Sequence, residues 1–101
     1  MRDRFESVWR QIRVLAGHTF ETKTGLHFTY RFEGSTVRVT RDEHEINQSL
    51  NEGDFRVAFE VLRENRNSQP GQLNDLAHEM GYSMVRGPSY VWAILNDARI
   101  R

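Results

Sequence analysis

From Gly17 to Arg41, apolar and polar residues alternate in three stretches, HTFET, LHFTYRF and STVRVTR, separated by Lys23-Thr24-Gly25 and Glu33-Gly34. A period of two sends successive side chains to opposite faces of a strand, so the stretches predict a β-meander and its register. With Gly25 at positive φ in a three-residue turn, Thr22 opposes Leu26, Phe20 opposes Phe28 and His18 opposes Tyr30. A two-residue Glu33-Gly34 turn pairs Phe32 with Ser35, Tyr30 with Val37 and Phe28 with Val39. One face then carries Phe20, Leu26, Phe28, Tyr30, Phe32, Val37 and Val39. The other carries Thr19, Glu21, His27, Thr29, Arg31, Thr36, Arg38 and Thr40.

Helical spacing takes over on either side. Phe5, Val8, Trp9, Ile12, Leu15 and Ala16 form one apolar stripe, stopped by Gly17, with Arg2, Arg4, Arg10 and Arg13 outside it. Arg41-Asp42-Glu43-His44-Glu45 reads as a solvated connector, and Ile46 to Leu50 as a short strand or a single turn. Asn51 or Gly53 caps a second helix with Phe55, Ala58, Phe59 and Leu62 inward. Pro70 opens a third, with Leu73, Leu76, Ala77 and Met80 on one side and Gly81 as its stop. Ser89 to Asp97 places Val91, Ile94, Leu95 and Ala98 at helical spacing, and we read a helix there although Tyr90-Val91-Trp92 also suits a strand. The expected fold is a single α+β domain over residues 1–101. A three-stranded antiparallel β-meander is packed on one face by helices, in the order α-β-β-β-α-α-α.

Composition narrows the chemistry. A chain of 101 residues has the size of one core. Cysteine is absent, which removes disulfides, thiolate metal sites and cysteine nucleophiles. No apolar run reaches the length of a membrane span and the N-terminus is charged, so the expectation is a cytoplasmic protein without a membrane partner. Fourteen basic and fourteen acidic residues balance overall, but residues 1–41 hold eight basic against four acidic and the remainder six against ten. The halves therefore carry +4 and −4, a polarity that suits a phosphate-binding surface or two complementary surfaces.

Three candidate sites follow. Threonines and cations on the wet sheet face suit a phosphate backbone, with Lys23, Arg31, Arg38 and Arg41 as nucleic-acid-binding residues. Glu21 beside His27 is the kind of carboxylate-imidazole pair that orients a general base, but no nucleophile accompanies it and the face is open. Gly87-Pro88-Ser89-Tyr90-Val91-Trp92 sets large aromatics beside a rigid turn, and Tyr82, Tyr90 and Trp92 are the candidate partner-binding residues. His18, His27, His44 and His78 have no ligand spacing, so no metal and no cofactor is expected. The outer strand Ser35 to Arg41 presents a pairing edge for a second copy.

Two local resemblances add expectations. Leu73 to Ser83 resembles the first helix and turn of a helix-turn-helix unit, with Val91 and Ile94 similar to the buried positions of a recognition helix. This would set Ser89, Tyr90, Ala93 and Asn96 toward DNA. The stretch from Tyr82 through Gly87 is about four residues longer than the turn of that family, and from its residues alone the region reads as two packed core helices. The α-β-β-β-α order of residues 1–65 resembles a double-stranded-RNA-binding domain. That family carries lysines where this chain has Asn51-Glu52-Gly53-Asp54, so no function is carried over. The resulting expectation is a small non-catalytic binding module acting through a protein partner or a second copy as a homodimer. A nucleic-acid-binding domain is the alternative, and a small enzyme using Glu21 and His27 ranks third.

Overall fold

The computed structural model of the chain describes residues 4–41 and 44–100. Its elements are α1 (Arg4–Val14), β1 (Phe20–Glu21), β2 (His27–Glu33), β3 (Thr36–Arg41), β4 (His44–Leu50), α2 (Glu52–Glu64), a 3-10 turn (Pro70–Gln72), α3 (Leu73–Glu79) and α4 (Pro88–Asn96). The sheet is antiparallel with four strands in the order β1-β2-β3-β4. The α+β class is therefore as expected, while the three-stranded meander is corrected to four strands. His44 and Glu45, assigned to a connector, begin β4, and Asp42 and Glu43 lie outside the described residues. The apolar alternation of β4 is interrupted by Gln48, whose side-chain oxygen is buried, between Ile46 and Leu50 in sequence, and the strand is bulged. Its step from Glu45 to Ser49 is matched by only Thr40 to Arg38 on β3. With β4 in place, β3 is an inner strand, and the pairing edge expected at Ser35 to Arg41 does not exist.

The first hairpin has the expected register, Phe20 opposite Phe28 and Glu21 opposite His27. The Thr22 amide donates to the Leu26 carbonyl at 2.9 Å, and Gly25 has φ +93°. The strand is shorter than HTFET, however, and the Tyr30 carbonyl accepts from the Gly17 amide at 2.9 Å. Leu26, expected in the core, is 44% exposed beyond the start of β2. In the second hairpin Glu33 pairs with Thr36, Phe32 with Val37, Tyr30 with Val39 and Phe28 with Arg41. The turn residues are thus Gly34-Ser35, one position later than expected. Tight hairpin turns favour positive φ at their first central position, and Gly34 supplies it at +63°. Moving a two-residue turn by one position shifts the pairing by two, so every side chain keeps its face while its neighbours change. The cross-strand pairs on the wet face are Thr29 with Thr40 and Arg31 with Arg38, which continues to Ser49. Of the expected rows, Glu21 keeps His27 but not Thr40, Thr29 faces Thr40 where Arg38 was expected, and Arg31 faces Arg38 in place of Thr36.

All the helices lie on the apolar side. Phe5, Trp9 and Ile12 of α1 meet Phe20, Phe28, Tyr30, Val37 and Val39 in one buried cluster. Trp9 contacts Phe32 edge-on at 5.5 Å and Phe55 of α2 at 5.4 Å. The Tyr30 hydroxyl, fully enclosed, donates to the Ile12 carbonyl at 2.5 Å. Helix α2 starts at a reciprocal cap: Asn51 Oδ1 accepts from the Asp54 amide, and Asp54 Oδ2 from the Asn51 amide, each at 3.0 Å. The other Asp54 oxygen accepts from the Arg86 amide at 3.1 Å, which ties the approach to α4 onto the start of α2.

Residues Ser89 to Asn96 are helical, as read from their spacing. Gly87, immediately before α4, sits at φ +51° with its missing Cβ position 2.5 Å from Gln48 Oε1 and 2.9 Å from a methyl of the buried Leu50.

Two stability measurements check this frame. Gly87→Ala should cost at least about 1–2 kcal/mol from the left-handed backbone alone, with more from crowding Leu50, seen as a lower midpoint in urea unfolding. Burial raises the pKa of Tyr30 well above its ordinary value. Above about pH 10 the unfolded chain therefore releases this proton while the folded chain keeps it, and stability falls as pH rises. Tyr30→Phe should flatten that alkaline loss and cost about 1–2 kcal/mol at neutral pH through the lost hydrogen bond.

Candidate functional site

The wet face of the sheet is electrostatically mixed. Arg31 and Arg38 stand directly opposite each other, and Glu33 lies between them, 3.4 Å from Arg31 Nη2 and 3.1 Å from Arg38 Nε. Like charges opposed across two strands destabilise, and the shared carboxylate offsets that repulsion. Farther along, Glu21 Oε2 lies 3.4 Å from His27 Nε2, both side chains more than half exposed. Neither residue lines either of the two concavities described below. The pair is an open cross-strand contact in the place where the catalytic reading needs a cleft.

The structure separates the four cations proposed for nucleic acid. Arg31 and Arg38 lie on the wet face. Arg41, opposite the buried Phe28, falls on the helix side of β3, and its Nη1 donates to the Tyr90 hydroxyl of α4 at 3.1 Å. Lys23 is carried by the β1–β2 turn. Lys23 and Arg41 line one cleft of about 330 Å³ together with Thr24, Gln69, Ser89 and Tyr90.

Each wall of this cleft has a local cause. The β1–β2 turn is held by the Thr22 hydroxyl, which accepts from the Leu26 amide at 3.0 Å and lies 3.3 Å from the Thr24 hydroxyl. Tyr90 is set by its edge contact with Phe28 at 5.0 Å. Gln69 precedes the 3-10 turn, its amide donating to Gln72 Oε1 at 2.8 Å. Ser89 is the second residue of α4, where the helix dipole is positive. Leu26, Pro70 and Tyr90 add apolar surface to the cleft.

The residues set toward DNA by the helix-turn-helix resemblance do not form one exposed row. Ala93 is buried, the Asn96 side-chain amide donates to the Trp92 carbonyl at 3.0 Å, and Ser89 and Tyr90 line the cleft. The aromatic trio also divides. Trp92 donates through Nε1 to the Ser68 carbonyl at 3.0 Å and packs against the core, and Tyr90 belongs to the cleft. Only Tyr82 stands out on the loop after α3, 39% exposed between Met80 and Met84.

Thr22, Thr24 and Gln69 escaped the sequence reading as site residues, and Ser89 entered it only as a residue set toward DNA. Their only local signals were the punctuating Gly25, Pro70 and Pro88, which mark turns without saying which turns meet. Among the described residues no group of three or more His, Asp or Glu side chains is placed to hold a metal ion, and no helix is long and apolar enough to cross a membrane. Comparison with protein-family models, curated proteins and solved structures finds no match for this chain.

The Arg31–Glu33–Arg38 arrangement carries its own test. Glu33→Gln should destabilise by a few tenths to about 1 kcal/mol, and the loss should shrink at high salt. Denaturant midpoints at two ionic strengths measure both effects.

Proposed function

We propose that this chain is a non-catalytic binding module that holds a phosphate group in the cleft between the β1–β2 turn, the end of β3 and the start of α4. The observation that carries this reading is the convergence of Lys23 and Arg41 with Thr24 and Ser89 on one cleft. A phosphate monoester brings close to two negative charges and several acceptor oxygens. Lys23 offers a compact charge, Arg41 directional N–H donors, and Thr24 and Ser89 hydroxyls. The start of α4 adds partial positive charge on the same side. Leu26, Pro70 and Tyr90 suit the uncharged body of such a ligand, and the volume is at the small end of ligand sites.

The phosphate can belong to a free nucleotide or to the end of a nucleic-acid strand, since the chemistry at the cleft is the same. Binding along a nucleic-acid backbone across the wet face has weaker support, because Glu33 offsets both arginines there.

Titration calorimetry with adenosine 5′-monophosphate, adenosine, inorganic phosphate and a 5′-phosphorylated oligonucleotide checks the reading. The monophosphate should bind and adenosine should not, and the oligonucleotide arm decides the source. Lys23→Gln and Arg41→Gln should each weaken binding about ten-fold or more, in the range of a charge-assisted hydrogen bond, while Arg31→Gln with Arg38→Gln leaves it unchanged. Equal affinity for adenosine and its monophosphate, or binding lost only in the wet-face variant, would overturn the proposal.

A further inference from the structure

A second concavity lies among α1, α2 and the end of α4 and has a different chemistry. Its floor is aliphatic and aromatic: Val8 of α1, Phe59 and Leu62 of α2, and Leu95 and Ile100 near the C-terminal end. Its rim is cationic, with Arg4, Arg63 and Arg66 around a volume of about 170 Å³. Arg63 is held by Glu60 at 2.6 Å. Arg4 and Arg66 make no ion pair or side-chain hydrogen bond among the described residues. The groove therefore combines apolar surface with two uncompensated positive charges.

From this combination we infer that the groove docks an acidic amphipathic helix of a partner protein. Such a helix presents apolar side chains at positions i and i+4 on one face, with carboxylates beside them. The groove has room for about one large apolar side chain, the size of a single anchor at an interface. Carboxylates flanking the anchor would reach Arg4 on one side and Arg66 on the other. Here the pattern of the partner matters as much as its charge, because the cations stand around the apolar floor. The space is short for an acyl chain, and an aliphatic floor gives bases little to stack on. This site shares no lining residue with the Lys23–Arg41 cleft, so it stands independently of the phosphate reading.

The test uses a fluorescein-labelled helical peptide with leucines at i and i+4 flanked by glutamates, a scramble of the same composition, and vesicles rich in anionic lipid. Fluorescence anisotropy should show binding of the patterned peptide and at least ten-fold weaker binding of the scramble. Arg4→Glu with Arg66→Glu, both exposed and off the core, should reduce affinity ten-fold or more with an unchanged circular dichroism spectrum. Lys23→Gln should have no effect. Methyl resonances of Val8, Leu62, Leu95 and Ile100 should shift on titration. Failure of the patterned peptide to bind, equal binding of the scramble, capture by vesicles in place of peptide, or methyl shifts confined elsewhere would each overturn the inference.

Discussion

The hydrogen bond from the Tyr30 hydroxyl to the Ile12 carbonyl fixes where the first helix rests on the sheet. It is enclosed by Phe20, Phe28 and the α1 stripe, so its donor has no water to turn to if the helix slides. Around it the aromatic rings of Trp9, Phe32 and Phe55 join α1, β2 and α2 into one layer. With one sheet face committed to helices, the polar face stays open. Arg41, whose strand position puts it on the helix side, is left to meet α4 at the rim. Both candidate sites owe their position to this one-sided packing. The cleft opens where β-turns meet the start of α4, and the arginine-rimmed groove opens where α1, α2 and the C-terminal end diverge.

Much of the fold was legible because the face of a strand residue depends only on the parity of its position. Phe20, Phe28, Tyr30, Val37 and Val39 were placed inside correctly even though the second turn came one position later than expected. Gly34 shows why register is harder to read than face. Alternation is equally satisfied by either placement of a two-residue turn, and only the backbone preference of one glycine separates them. Strand β4 was obscured by Gln48, a polar residue with a buried side-chain oxygen at a position where alternation leads one to look for an apolar one. Leu26 had the right parity but no sheet neighbour to cover it.

The candidate sites were far less legible. Lys23 and Arg41 could be picked out as cations, yet nothing in their spacing distinguishes them from Arg31 and Arg38. The distinction is made by strand direction at the end of β3 and by the meeting of four segments distant in sequence. Tyr90 was noted for its ring, but its part in the cleft comes from Phe28, 62 positions earlier. Arg4 was read only as lying outside the stripe of the first helix, since helical periodicity does not reveal what lies between two helices. Local patterns record which way a side chain faces, whereas a concave site depends on which segments converge.

The irregular course of β4 has one more consequence. An incoming strand needs a straight row of amides and carbonyls at even intervals, and the extra residues between Glu45 and Ser49 interrupt that row. At the opposite margin β1 offers only Phe20 and Glu21. A sheet truncated on one side and crooked on the other is a poor seed for ribbon-like stacking, so its neutral overall charge need not lead to fibrous assembly.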